Sequence, residues 1–116
     1  MINNILVHDS SGVYMRLIYS QFPGYSNIFF SNDLESLHKL DYKKFSLLIV
    51  FINSTDDLFD FAFLNSKKTK KMVGCGSTLI YKKLLFFPEI DLFNLFTPKK
   101  DLIKLFYQSI NRITIK

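Results

Sequence analysis

Short apolar runs alternate along the chain with longer stretches whose hydrophobic positions recur at helical spacing. The first run, NILV at residues 4–7, ends in the polar tip His8, Asp9, Ser10, Ser11 and Gly12. A helical pattern then passes through Val13, Leu17 and Phe22 to the break at Pro23 and Gly24. A second run, IFF at residues 28–30, is followed by Ser31, Asn32 and Asp33, whose side-chain oxygens suit the N-cap of a helix bearing Leu34, Leu37 and Leu40. The run FSLLIVFI at residues 45–52 is continuous instead of alternating, which predicts a central parallel strand covered on both faces. Residues 53–57 then cap a third helix, with Asp56 and Asp57 in a first turn where the helix dipole favours carboxylates, and residues 58–64 supply its apolar surface. Residues 67–71 link to the run MVGCG at 72–76, whose glycines predict close backbone approach at the strand end. Ser77 or Thr78 caps a helix to about residue 87, and Pro88 interrupts it. LFNLFT at residues 92–97 reads as a fifth strand. After Pro98, Asp101 opens a last helix carrying Leu102, Phe106, Ile110 and Ile113 on one face.

Five units of strand then helix predict an α/β fold with a doubly wound, five-stranded parallel sheet, because parallel neighbours require right-handed crossover helices. At 116 residues the chain is expected to form one domain over residues 1–116. Ligands of such sheets bind beyond the carboxyl ends of the strands, so function is expected in the loops at 8–12, 31–33, 53–57, 76–78 and 97–100.

Composition narrows the class. Hydrophobic residues at 48% and charged residues at 22% fit a globular chain with a packed core, and thirteen Phe and six Tyr with no Trp make that core aromatic. No apolar run nears the roughly 20 residues of a membrane-spanning helix. The amino terminus runs from Met1 through Asn3 and Asn4 into a strand-like segment without a basic stretch or a cleavage site, so a cytoplasmic location without a membrane partner is expected. The single cysteine, Cys75, excludes an intramolecular disulfide and cannot supply a thiolate zinc cluster. Residues 1–58 carry four basic and six acidic side chains, and residues 59–116 carry eleven and four, so the net charge of +5 belongs to the second half. Lys67, Lys68, Lys70 and Lys71 are its densest cluster. Such a patch could meet phosphates, but Arg16 and Arg112 are the only arginines and no residues remain for an appended DNA-binding module, which disfavours nucleic acid as a partner.

The chemistry-bearing motifs are mostly excluded. There is no GxxxxGK[ST] and no GxGxxG, the nearest being Gly74-Cys75-Gly76 without a third glycine. His8 and His38 are the only histidines, no HExxH occurs, and neither a metal nor a cofactor is expected. His8 and Asp9 are adjacent on a strand end and face opposite ways, which argues against a shared reaction centre. Ser77 lacks a GxSxG elbow, and Cys75 reads as a small core thiol.

The order of units, the polar tip after the first strand, the small or hydroxyl tip after the fourth and the proline after the fifth resemble the receiver domain of two-component response regulators, whose fold is the flavodoxin-like (βα)5 type. The resemblance spans the whole chain. It implies two adjacent acids after strand one, a phosphoacceptor aspartate ending strand three, a hydroxyl after strand four and Lys-Pro after strand five. In that arrangement the acids hold Mg²⁺, the aspartate attacks phosphorus, and the hydroxyl and lysine bind the phosphoryl group. Here Asp9 matches one acid and Ser10 replaces the other. Phe51 falls at the phosphoacceptor position, and a register shifted by two offers only Asn53. Gly76 or Ser77 matches the hydroxyl position. Thr97 stands where the lysine belongs, before Pro98, and Lys99 follows the proline instead.

The resemblance therefore implies a degenerate receiver, not an enzyme, that acts by binding a signalling partner or a second copy of itself. In the family the face formed by helix four, strand five and helix five commonly mediates dimers. Tyr81, Phe86, Phe87, Phe93, Phe96, Phe106 and Tyr107 lie in that stretch and are candidate interface residues for a homodimer. The alternatives are an atypical receiver in which Asp9 with Asp56 or Asp57 retains Mg²⁺ and phosphoryl binding, and a nucleic-acid-associated domain using the lysine cluster. The isomer of the Thr97–Pro98 bond is left open.

Overall fold

The computed structural model describes residues 4–114. In chain order the elements are β1 (Asn4–His8), α1 (Val13–Gln21), β2 (Ile28–Ser31), α2 (Leu34–His38), a 3₁₀ turn (Tyr42–Lys44), β3 (Phe45–Ile52), α3 (Asp57–Asn65), β4 (Lys70–Cys75), α4 (Thr78–Leu84), β5 (Ile90–Asn94) and α5 (Lys99–Thr114). All strand pairings are parallel, in the order β2-β1-β3-β4-β5, so this is a flavodoxin-like (βα)5 fold. β3 lies at the centre, as its unbroken apolar run requires.

Alternate residues of the strands feed two separate cores. Ile5, Val7, Leu47, Ile49, Phe51 and Met72 face α1 and α5, where they meet Ile18, Leu102, Phe106 and Ile110. Leu6, Leu48, Val50, Ile52, Val73 and Cys75 face α2, α3 and α4 through Leu37, Phe61, Leu64, Ile80 and Leu84. The side-chain period of two thus sorts one strand into two buried faces. Among the described residues no helix is long and apolar enough to cross a membrane.

Several element boundaries differ from the sequence expectation. β4 starts at Lys70, because Lys70 and Lys71 pair with Leu47 and Leu48 instead of lying in a linker. β5 covers Ile90–Asn94 and not 92–97, since its register pairs Ile90 with Lys71 and Asn94 with Cys75. Leu95 still donates to the Cys75 carbonyl, but Phe96 and Thr97 have already turned away: the Asn94 side chain accepts from Phe96 N–H and the Asn94 carbonyl from Thr97 N–H. α2 stops at His38, before Leu40, as Tyr42 donates its hydroxyl to the Leu37 carbonyl and Asp41 caps the following 3₁₀ turn. α4 stops at Leu84, where tighter bonds from Phe86 and Phe87 N–H close the last turn ahead of Pro88. The expected close approach at Gly74 is present, because a Cβ there would sit 2.6 Å from the Phe93 ring and 2.9 Å from Leu95. The Thr97–Pro98 bond is trans.

Candidate functional site

The carboxyl ends of β1, β2 and β3 bring together a group of polar side chains buried below the loops. Asp9 is wholly buried just past β1. Its Oδ1 accepts from Ser11 N–H at 3.1 Å and from the Ser11 hydroxyl at 2.7 Å, and its Oδ2 accepts from Tyr14 N–H at 2.8 Å and Met15 N–H at 3.1 Å. The N-cap of α1 is Gly12, at φ 77°, which has no side chain to offer the free N–H groups of the first turn. Asp9 therefore caps the helix from three residues upstream and places its charge at the positive end of the dipole. Burial, with the Asp9 charge adding to it, raises the Tyr14 phenol above its ordinary range.

Asp57, the buried first residue of α3, performs the same task for the next loop. Its Oδ2 accepts from Asn53 N–H at 2.8 Å and Ser54 N–H at 3.2 Å, and its Oδ1 accepts from the Ser10 hydroxyl. One carboxylate thus ties the loop after β3 to the loop after β1. Ser10, at the second acid position of the resemblance, is a hydroxyl donor to this clamp.

The third group was not foreseen from sequence. His8, only 1% exposed, has Nε2 at 2.6 Å from Asp60 Oδ2 on α3 and Nδ1 at 3.1 Å from the Ser31 hydroxyl at the end of β2. The row of hydroxyl, imidazole and carboxylate has the order of a nucleophile triad, but Ser31 is itself buried and its hydroxyl also approaches the Asp33 carbonyl. The row joins β1, β2 and α3. Its partners were legible only in part: His8 and Ser31 occupy matched register positions on neighbouring strands, whereas Asp60 lies 52 residues from His8 along the chain.

Phe51 is 1% exposed and faces the α1–α5 side. Its ring stacks on Tyr14 at 4.9 Å and 8°, and meets Phe93 and Phe106 edge-on at 6.1 and 6.0 Å. Asn53 is exposed in the loop beyond. Gly76 N–H donates to the Ile52 carbonyl, and a Cβ at Gly76 would lie 2.6 Å from Asn53 Oδ1. Ser77 is the N-cap of α4, its hydroxyl accepting from Ile80 N–H at 3.3 Å. Burial pushes the neighbouring Cys75 thiol up, with a backbone hydrogen bond from Ser77 opposing the shift, and the thiol lies 3.3 Å from the Ser77 carbonyl oxygen. Thr97 and the exposed Pro98 lie past the end of β5, and the Pro98 carbonyl accepts from Asp101 and Leu102 N–H at the start of α5.

The acids do not fit a divalent cation. Each Asp9 oxygen already takes two donors, so a cation there would have to displace bonds that hold the loop, and Asp57 takes three donors. Asp56 is exposed at the start of α3. Among the described residues no three of His, Cys, Asp and Glu are grouped to hold a metal ion.

The aromatic candidates divide. Phe106 is fully buried and belongs to the core, not to a surface, because it sits at the centre of the apolar stripe of α5. Phe93 and Tyr81 are partly buried against the two cores. Phe87 packs edge-on against Phe61, and Tyr107 contacts Phe22 and donates to the Gln21 carbonyl. Phe86 and Phe96 are 84% and 68% exposed, and Leu79 and Leu85, which were not expected from the sequence, are exposed as well. Compared with known proteins, the chain matches no family model and no curated protein.

Proposed function

We propose that this chain is a receiver-like signalling domain of two-component type that works by protein–protein interaction and independently of phosphorylation. The observation that carries the reading is Phe51: at the position the resemblance assigns to the phosphoacceptor stands an aromatic ring, 1% exposed and stacked on Tyr14. The Phe51 ring has no atom that can attack phosphorus, and it is packed into the α1–α5 core. The four donors on the Asp9 carboxylate and the three on Asp57 support the same conclusion from the metal side.

The partner surface is the face of α4 and β5. Leu79, Leu85, Phe86 and Phe96 expose more apolar area there than solubility favours, and Leu85, Tyr81 and Phe96 border a groove of about 250 Å³. A second copy of the chain is the occupant this reading favours. Amide NMR with Mg²⁺, then Mg²⁺ plus beryllofluoride, tests the site: unmoved resonances at Asp9, Phe51, Ser77 and Thr97 are expected, and saturable shifts would mean a working phosphoryl pocket. Sedimentation over a concentration series tests the surface. Self-association that Phe86→Ser with Phe96→Ser abolishes is expected, and a monomer into the high micromolar range rejects the homodimer.

A further inference from the structure

We propose that the groove between α1 and the start of α5 is a binding site for a small organic anion: one acidic head group on an apolar body. The groove holds about 520 Å³, within the range of small-molecule sites, and opens at the carboxyl-end side of the sheet, where α/β folds bind ligands. Its floor is apolar. Leu95 and Leu102 are buried core residues, Tyr14 is the ring stacked on Phe51, and Val13 projects beside them with 61% of its surface exposed. Leu17 and the hydroxyl residues Ser20 and Thr97 also line it, together with two cations, Arg16 from α1 and Lys99 from α5.

Three observations fix the charge of the ligand. Among the described residues no carboxylate lines the groove. Among the described residues neither Arg16 nor Lys99 is paired with a carboxylate, the ion pairs being His8–Asp60, Lys39–Glu35 and Lys70–Asp91. Lys99 is also the first residue of the 16-residue α5, so the positive end of that helix dipole adds to the same rim. The other grooves differ. The one between α3 and α4, about 370 Å³, has Lys83 as its only charge, and those beside β5 and α5 include Asp91 with their cations. An apolar floor with two unpaired cations from separate elements occurs at the α1–α5 groove. The inference does not depend on the signalling reading above.

The test is an amide NMR titration with 8-anilinonaphthalene-1-sulfonate, an apolar body with one anionic head, against N-phenyl-1-naphthylamine, which has the same rings and no charge. Saturable shifts at residues 13–20 and 95–102 are expected, with the sulfonate bound about tenfold more tightly, as two solvent-exposed charge contacts would give. Arg16→Ala with Lys99→Ala, both at exposed positions, should reduce sulfonate affinity to that of the neutral compound. Equal affinity for the two probes, shifts centred on Phe61 and Leu84 instead, or an unaffected double variant would each overturn the proposal.

Discussion

Asp9→Asn keeps the size of the side chain and removes one acceptor oxygen. In the folded chain that carboxylate receives four donors, two on each oxygen, at 2.7 to 3.1 Å. An amide can retain the pair on its remaining oxygen, but its NH₂ group then points hydrogens at the other two donors. Two donors left without an acceptor cost about 1 kcal/mol each, and the lost charge at the start of α1 adds roughly 0.5–1 kcal/mol, so the expected loss is about 3 kcal/mol. Against a total stability on the order of 5–15 kcal/mol this is a large fraction. Urea unfolding followed by far-ultraviolet circular dichroism reads it directly: with a slope near 2 kcal/mol/M, the midpoint falls by about 1.5 M. Asp9→Ala, which strands all four donors, should lose at least as much. An acid kept free for metal binding behaves in the opposite way, because removing a functional charge leaves stability unchanged or raises it. A midpoint that moves by less than about 0.5 M, or moves upward, refutes the capping role.

Phe51→Ala should lose about 3–5 kcal/mol in the same assay, since the ring is 1% exposed and touches three others; a loss under about 1.5 kcal/mol would show that the site collapses without it. Burial pushes the Tyr42 phenol up to about 12, above its unfolded value near 10, so the native state holds the proton longer. Stability should therefore fall as pH rises from 10 to 12, by an amount on the order of 1 kcal/mol once solvent screening of the partly exposed hydroxyl is allowed for, and Tyr42→Phe should lack that component. Cys75, buried with a raised thiol pKa, should stay unreactive toward a disulfide reagent at pH 8 in the native protein and react on unfolding; rapid native labelling would contradict its placement. Gly74→Ala should destabilise by about 1–3 kcal/mol, because the new methyl meets the Phe93 ring at 2.6 Å, and Phe93→Leu in the same chain should recover part of the loss.

The fold was legible because its signals are local. The unbroken run at 45–52 predicts a central strand, which it forms, and the N-cap oxygens of Asp33 and Ser77 stand where the helices begin. The fifth strand was displaced for a physical reason. LFNLFT is the more apolar hexamer, yet pairing with β4 selects Ile90–Asn94, and Leu95 closes the α1–α5 core from a loop. The site was legible in identity and hidden in geometry. Asp9, Ser10 and Asp57 were recognised as polar tips, but no spacing rule predicts that Asp9 reaches forward to cap α1 or that Asp57 takes the Ser10 hydroxyl. The reading that His8 and Asp9 face apart holds. What it missed is that each then finds its own partners, Asp60 and Ser31 for one and the α1 N–H groups for the other.

These three buried polar groups bear on how such a domain can respond to a signal. A phosphorylation switch needs an acid free to hold a cation and a loop free to move when the phosphoryl group arrives. Here Asp9 fixes the loop after β1 to α1, Asp57 fixes the loop after β3 to that same loop, and His8 fixes the ends of β1 and β2 to α3. Among the described residues every buried side-chain nitrogen and oxygen has a partner, so moving one of these loops would break the bonds that its buried carboxylate or imidazole makes. A carboxyl end locked in this way favours one arrangement over two. Under the proposed reading, recognition then has to reside in a surface that is already formed, and the exposed Leu79 lies on α4, Leu85 and Phe86 just after it, and Phe96 beyond β5. Substitutions there should alter association while leaving the unfolding free energy of the monomer within about 0.5 kcal/mol of its original value, whereas substitutions in the clamps should do the reverse.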